Sequence, residues 1–155
     1  MFIKIEVSKG SNLKYEFCHK QNELILDRIL HNSNVFPYNY GYIPNTLSLD
    51  GDPLDAILVV EYSLLPGILV ECKVIGGIET DDENGIDDKI ICVPIDKIDP
   101  LSKNINDLKD IDNNKLNNIK YFLTHYKDNE NDKFINIGNF YNKECAENKI
   151  KKFTI

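Results

Sequence analysis

The sequence contains no tryptophan, one methionine and one arginine, and its four cysteines lie far apart. No two cysteines form a C-x-x-C pair, which argues against a zinc knuckle and against a dithiol redox motif. No run approaches the ~18 consecutive apolar residues of a membrane span. The first ten residues, MFIKIEVSKG, lack the apolar stretch of a signal peptide. We therefore expect a soluble protein, cytoplasmic or organellar, with reduced thiols and no membrane association.

Basic residues are outnumbered by acidic ones, 18 to 25, which gives a net charge of −7. Nucleic-acid backbones are bound by clustered Lys and Arg, so nucleic acid is not an expected partner. The 155 residues are 42% hydrophobic and 28% charged, as in an ordinary globular protein. This length and composition predict a single domain, residues 1–155, built around one core.

Alternating or β-branched apolar residues predict strands along the first part of the chain. The predicted strands are residues 2–7, 13–17, 24–29, 56–60, 69–75 and 89–93. The turn-forming residues 9–12 predict that the first two strands form a hairpin. Residues 32–53 have no regular period, and a stretch of this length without a helix or strand is more often functional than idle.

Apolar residues at three- and four-residue intervals predict two helices after the strands. The longer begins near Asp112 and carries Leu116, Ile119, Phe122, Leu123 and Tyr126. The shorter carries Ala146, Ile150 and Phe153. Strands followed by helices predict a mainly β protein of the α+β class, in which a small barrel or sandwich is covered by the helices.

Three carboxylates stand within six residues in the segment Asp50-Gly-Asp52-Pro-Leu-Asp55, which runs into a predicted strand. Two such charges ~4 Å apart repel by roughly 4 kcal/mol at an effective dielectric constant near 20. A hard cation such as Mg²⁺ relieves this repulsion and prefers oxygen ligands. A solvated acidic loop is the alternative. A calcium loop of the EF-hand kind is excluded, because Leu54 stands at a ligand position and a strand follows where a helix is needed.

Two further features are ambiguous taken singly. The acidic run 81–88 is typical of a hydrated hairpin tip, but it could also supply metal ligands. Arg28 is the sole arginine beside seventeen lysines. A planar, bidentate guanidinium suits phosphate oxygens, although a single arginine could also arise by chance.

The string NYGYIPNTLSLDGDPLDAILV resembles the signature segment of the soluble family I inorganic pyrophosphatases of bacterial type. The resemblance covers nearly the whole chain, with further matches at Ile5-Glu6, Lys14-Tyr15-Glu16, Asp27-Arg28, residues 82–89 and His125-Tyr126-Lys127. It implies a five-stranded β-barrel of the oligonucleotide-binding type, flanked by one long and one short C-terminal helix. It also implies Mg²⁺-dependent hydrolysis of pyrophosphate to two phosphates, which would pull biosynthetic reactions forward.

The resemblance also implies roles for individual residues. Asp52 corresponds to the general base beside the attacking water, with Tyr40 close by. Asp50, Asp55 and Asp87 match ligands of the activating metals, Asp82 and Glu16 match ligands of metals that arrive with substrate, and Glu6 acts through metal-bound water. The positions that match phosphate contacts are Lys14, Arg28, Tyr40, Lys89, Tyr126 and Lys127.

The charges of this set are consistent with a metal-dependent site. Its seven carboxylates and four basic side chains leave an excess of three negative charges, and pyrophosphate adds up to about four more. About three to four Mg²⁺ ions would bring the filled site close to neutral. The resemblance implies that Mn²⁺ or Zn²⁺ can substitute and that Ca²⁺ inhibits. A binding module without catalysis would have gaps among the site acids, and none is found. A calcium buffer would need a different ligand spacing.

Two expectations concern details. Family members commonly have tyrosine where this chain has Phe36, so we expect lower but not absent activity, and Phe36→Tyr should leave turnover equal or faster. The resemblance also implies a homo-oligomer, a trimer or hexamer, to whose packing the C-terminal helix contributes. The histidines are interpreted as structural: His125 on the long helix near a subunit contact, and His19 and His31 in loops.

Overall fold

Nine β-strands and two α-helices make up the fold in the computed structural model, which describes all 155 residues. The helices are α1 (Asn113–His125) and α2 (Lys143–Phe153), and two short 3-10 helices lie at Pro100–Ser102 and Leu108–Asp110. The strands are β1 (Phe2–Val7), β2 (Leu13–Cys18), β3 (Glu23–Ile29), β4 (Asn39–Tyr42), β5 (Asp55–Leu58), β6 (Leu69–Asp82), β7 (Gly85–Ile86), β8 (Lys89–Pro94) and β9 (Ile135–Asn142).

Five of these strands close into a ring. The pairing runs from β1 to β4, β5, β8 and β6, and β6 pairs back with β1. Only β5 and β8 are parallel; the other pairs in the ring are antiparallel. A closed ring of five strands with two helices after the main strands confirms the predicted fold class.

The parallel strands β5 and β8 are buried on both faces, which explains their nearly continuous apolar runs. Ile57 and Ile91 belong to one buried cluster, which includes Phe122 of α1. Their neighbours Leu58 and Ile90 point the other way, into a second cluster that includes Ala146 of α2. Each helix therefore covers one of the two apolar layers.

Both predicted helices are confirmed. Asp112 caps α1, and its side chain accepts a hydrogen bond from the backbone N–H of Asn114. The side chain of Asn142 caps α2 in the same manner, by accepting from the N–H of Cys145. Neither helix is long and apolar enough to pass through a lipid bilayer.

Several strand predictions were wrong in extent or partner. The first two strands do not form a hairpin: both edges of β1 are used by β4 and β6, so β2 pairs with β3 in a separate two-stranded sheet. β4 lies inside the stretch predicted to be irregular, and β6 continues seven residues beyond its predicted end at Ile75. β9 was not predicted, because Asn and Gly interrupt its apolar residues and weaken the strand pattern.

Candidate active site

A cleft opens at one end of the ring, where acidic and basic side chains from six strands and their loops converge. Asp55 and Lys89 are the first residues of the parallel strands β5 and β8 and are register partners, so both lie at this end. The cleft brings together all thirteen residues singled out from the sequence: Glu6, Lys14, Glu16, Arg28, Tyr40, Asp50, Asp52, Asp55, Asp82, Asp87, Lys89, Tyr126 and Lys127. Their convergence supports a common site, while their individual roles stay predictions.

The loop before β5 presents its acids through a tight turn. Gly51 has φ +86°, in the left-handed region that glycine adopts without strain. The Asp50 carboxylate accepts a hydrogen bond from the Asp52 backbone N–H at 3.0 Å. Burial, with Asp52 and Asp55 nearby, raises the pKa of Asp50. The Asp52 residue is exposed, as access to a water in the cleft requires.

Lys89 is the buried cation at the centre of the cleft. Its side chain is 1% exposed, and its Nζ lies 2.6 Å from Oδ2 of Asp55 and 2.5 Å from Oδ2 of Asp87. Burial alone would lower the pKa of Lys89, but the charges of the neighbouring acids outweigh burial and hold it well above its usual value. Lys89 is therefore a fixed positive charge shared by two carboxylates.

One lysine does not fully compensate the two half-buried carboxylates of Asp55 and Asp87. Burial works against ionisation of both, yet the Lys89 charge and hydrogen bonds hold the pKa of Asp55 below its usual value. The pKa of Asp87 is raised to about 7 by its burial and by the nearby Asp55. The pair therefore retains one proton below neutral pH, and a further cation would favour the loss of that proton.

Glu6 of β1 is a third carboxylate whose ionisation is opposed by burial. It is 7% exposed, and burial raises its pKa to about 7, with Asp55 adding to the effect. One oxygen accepts the backbone N–H of Phe17 at 2.7 Å, which opposes the rise. This bond ties the separate β2–β3 sheet to the end of the ring.

Tyr40 lies beneath Lys89, whose Nζ is 5.7 Å from the centre of the phenol ring. Burial and the Asp55 charge raise the pKa of Tyr40 well above its usual value, so the hydroxyl stays protonated and can donate. Tyr126 lies alongside, stacked on Phe122 with ring centres 5.2 Å apart. Both hydroxyls are thus fixed by rings anchored in the core.

The β2–β3 sheet supplies a basic wall. Lys14 and Arg28 are register partners, so their side chains share one face. Arg28 donates from Nε to Asp27 at 2.8 Å and from Nη1 to Glu130, which leaves Nη2 without a carboxylate partner. Lys14 approaches the same Asp27 oxygen at 3.5 Å.

A further part of the cleft wall comes from the β6–β7 hairpin and the residues that follow α1. Lys127 lies 3.1 Å from Asp82 and 3.4 Å from Glu83. Burial opposes the charge on Lys127, but Tyr126 and Asp82 raise its pKa, so it remains cationic. The acidic run is therefore a hairpin tip as well as a cleft wall, since Asp82 and Asp87 line the cleft.

The donor set fits a hard cation such as Mg²⁺, because every predicted ligand is a carboxylate. No group of three or more acidic, His or Cys side chains already stands at metal-binding spacing. Asp55 and Asp87 do converge on one point, and the Nζ of Lys89 occupies it. Ligation would require the Lys89 ammonium to shift. Burial, with the Asp55 charge adding to it, raises the pKa values of Glu6 and Asp87, so a nearby cation would favour the ionised form of both.

Sequence reasoning missed seven residues that line the cleft: Phe17, His19, Tyr42, Pro53, Glu83, Asn84 and Lys133. His19 was interpreted as a structural loop residue; it does lie in a turn, but its ring packs edge-on to Phe17 and Tyr42 on the cleft wall. Its position beyond Glu16 on the same hairpin was the available signal.

Phe36 does not line the cleft. Its ring is 1% exposed and packs against Tyr40, Phe122 and Tyr126, with ring centres 5.3, 4.5 and 6.4 Å away. Any effect of the missing hydroxyl must therefore pass through the two tyrosines that do reach the cleft.

Comparison with known proteins gives a consistent result. The family model described as inorganic pyrophosphatase matches residues 3–154. An inorganic pyrophosphatase of Saccharolobus solfataricus is 45% identical over 148 residues, which are 96% of this chain and 86% of the relative. One from Helicobacter pylori is 40% identical over 150 residues, 97% of this chain and 87% of the relative.

Solved structures agree with the sequence relatives. The Helicobacter pylori inorganic pyrophosphatase superposes with a TM-score of 0.96 at 39% identity, covering 99% of this chain and 90% of that one. The Thermus thermophilus inorganic pyrophosphatase gives 0.93 at 33% identity, covering 97% and 87%. Fold and sequence therefore point to the same group of proteins.

Proposed function

This chain belongs to the inorganic pyrophosphatase family, and from that premise we propose that it hydrolyses pyrophosphate to two orthophosphates with Mg²⁺ as the activating ion. The observation that carries the proposal is the single cleft that combines eight carboxylates with five basic side chains, those of Lys14, Arg28, Lys89, Lys127 and Lys133. An acidic cleft of this kind would repel a polyanion unless divalent cations bound with it. We further propose that the reaction pulls pyrophosphate-releasing biosynthetic steps forward in the cytoplasm.

Asp50, Asp55 and Asp87 would hold the activating ions, Asp82 and Glu16 would hold ions that enter with substrate, and Glu6 would act through coordinated water. When bound, Mg²⁺ would neutralise phosphate charge and make a water molecule more acidic. The shared proton of Asp55 and Asp87 supports this assignment, because a cation would displace it. About three to four ions per site would bring the charge near zero; Mn²⁺ or Zn²⁺ would substitute, and Ca²⁺ would inhibit.

Asp52 accepts a proton from the attacking water as it approaches phosphorus. Its exposure and its position on a turn fixed by Gly51 support this role. Tyr40, held protonated by burial, donates a hydrogen bond near the reacting atoms. General-base assistance of this type contributes typically about 10²–10⁴-fold to a rate.

The basic side chains bind and orient the two phosphates. Arg28 has Nη2 available, and Lys14 stands beside it on the same wall. Lys127 and Tyr126 line the same cleft. Together with Lys89 they stabilise the charge that develops on the leaving phosphate.

The test is release of phosphate from pyrophosphate by the purified protein with Mg²⁺. We expect turnover with Mg²⁺, little with Ca²⁺, and a fall of about 10²-fold or more in Asp52→Asn. Asp81→Asn is the matched control, since this acid lies on the β6–β7 hairpin but does not line the cleft. Absence of phosphate release with every divalent metal would refute the proposal, and equal turnover in Asp52→Asn would refute the role of that residue.

We also propose a homo-oligomer, either a trimer or a hexamer. Tyr121 on α1 is 63% exposed and packs on His125 with ring centres 4.6 Å apart, so this face of the helix offers an aromatic surface for contact with a second copy. Sedimentation velocity on the wild type and on Tyr121→Ser would test it. A monomeric wild type at micromolar concentration would contradict the proposal.

A further inference from the structure

Asp88 lies between two cleft residues but faces away from the cleft. It is 8% exposed, and its carboxylate makes three contacts on the far side of the sheet. One oxygen accepts the backbone N–H of Thr80 at 3.2 Å, and the other accepts the Tyr141 hydroxyl at 3.1 Å and the Nζ of Lys149. Both oxygens of this buried carboxylate are therefore engaged, by groups from β6, β9 and α2.

The neighbouring Asp87 is not held by the ladder of the sheet, because β8 begins only at Lys89. Its backbone is held by Thr80 instead. The Asp87 N–H donates to the Thr80 carbonyl at 2.9 Å, and the Thr80 hydroxyl donates to the Asp87 carbonyl. Since Asp88 binds the N–H of that same Thr80, the placement of Asp88 and the placement of Asp87 are linked.

Lys149 brings α2 into this network. Its Nζ also stands over the Tyr141 ring, 4.4 Å from the centre, so the ammonium is fixed by two partners. Asp88 is buried and the Lys149 side chain is 34% exposed, and an ion pair of this kind contributes little net stability because desolvation of the carboxylate offsets the attraction between the charges. An apolar pair would pack α2 equally well. What the ion pair adds is a fixed orientation of the Asp88 carboxylate.

We propose that Asp88 and Lys149 are positioning residues that hold Asp87 in the orientation needed to bind a divalent cation. This inference rests on the proposed function, since it takes Asp87 as a ligand. The C-terminal helix thereby affects cation affinity without touching the cleft, because neither Asp88 nor Lys149 lines it.

The experiment is isothermal titration of Mg²⁺ into the substrate-free protein, with thermal unfolding recorded for each variant. Lys149→Met should weaken Mg²⁺ binding about tenfold, as changes of residues that orient metal ligands generally do. Lys151→Met is the matched control, an exposed lysine on the same helix, and should bind as the wild type does. Asp88→Ala/Lys149→Met should recover much of the lost thermal stability, because no charge is left buried alone, yet still bind Mg²⁺ weakly.

Wild-type Mg²⁺ affinity in folded Lys149→Met would overturn the inference. Recovery of Mg²⁺ affinity in the double variant would overturn it too, because it would show that Lys149 serves only to neutralise the buried charge of Asp88 and that neither residue orients Asp87. If Lys149→Met does not fold, Tyr141→Phe removes one hydrogen bond to Asp88 and keeps both charges; unchanged Mg²⁺ affinity there also overturns it. A wild type that binds no Mg²⁺ and releases no phosphate would remove the proposed function itself. A wild type that does both, with variants that match it, would remove only the positioning role.

Discussion

Replacing Lys89 with methionine should destabilise the metal-free protein by about 3–5 kcal/mol at pH 8, the usual cost of breaking a buried ion pair from one side. The lysine side chain is 1% exposed, and it makes short contacts with two carboxylates that are 24% and 17% exposed. Methionine keeps most of the apolar stem but leaves Asp55 and Asp87 facing each other without the cation.

The loss should depend on pH, and its sign follows from linkage. The folded-state pKa of Asp87 is about 7, above its ordinary value of 3.8, so the folded protein binds more protons than the unfolded chain between these values. Removing the lysine should extend this behaviour to Asp55, because burial raises the pKa of Asp55 and the Lys89 charge is the largest of the effects that lower it, ahead of the hydrogen bonds with Asp87 and Tyr40. Both acids can be neutral at pH 5, so the destabilisation should be small there and full at pH 8.

Urea unfolding in EDTA at pH 5 and pH 8 measures both quantities. Lys115→Met is the control, since its ion pair with Glu61 is solvent-exposed and should cost less than about 1 kcal/mol at either pH. A loss below 1 kcal/mol for Lys89→Met at pH 8, or an equal loss at both pH values, would refute the electrostatic account of the cleft.

Three further outcomes are expected. Glu6→Gln should stabilise the metal-free protein by about 1–3 kcal/mol at pH 8 and little below pH 4.5. The reason is that the wild type loses stability as pH rises through the folded-state pKa of Glu6, about 7, whereas glutamine does not ionise. Urea unfolding of Glu6→Gln and of the exposed control Glu23→Gln checks this. Arg28→Lys should raise KM for pyrophosphate about tenfold, as expected for loss of one charge-assisted hydrogen bond, and an unchanged KM would contradict the phosphate-binding role. Phe36→Tyr should leave turnover equal or faster in the phosphate-release assay, and a severe loss would show that the buried ring cannot accept a hydroxyl.

Sequence patterns predicted an element correctly where its stability depends on residues that are close together along the chain. The cap at Asp112 and the spacing of Ile119, Phe122 and Leu123 predicted α1 because both depend only on neighbours within one or two turns. β9 escaped prediction because its stability comes from pairing with β6, more than fifty residues earlier, and not from its own Asn-rich sequence. The false hairpin of β1 and β2 has the same origin, since closure of the ring took both edges of β1.

The same contrast between local and long-range determinants applies to the acidic residues of the site. A run of acidic residues from 81 to 88 does not reveal which of them face a common point. The parallel pairing of β5 with β8 sets Asp55 opposite Lys89 across 34 positions of sequence, and the alternation of side chains then places Asp87 on the cleft side and Asp88 on the other. Lys89 is thereby shared by Asp55 and Asp87, while Asp88, the neighbour of Asp87, is bound by α2. The charge deficit that favours a bound cation thus arises from strand register, which no count of carboxylates in the sequence contains.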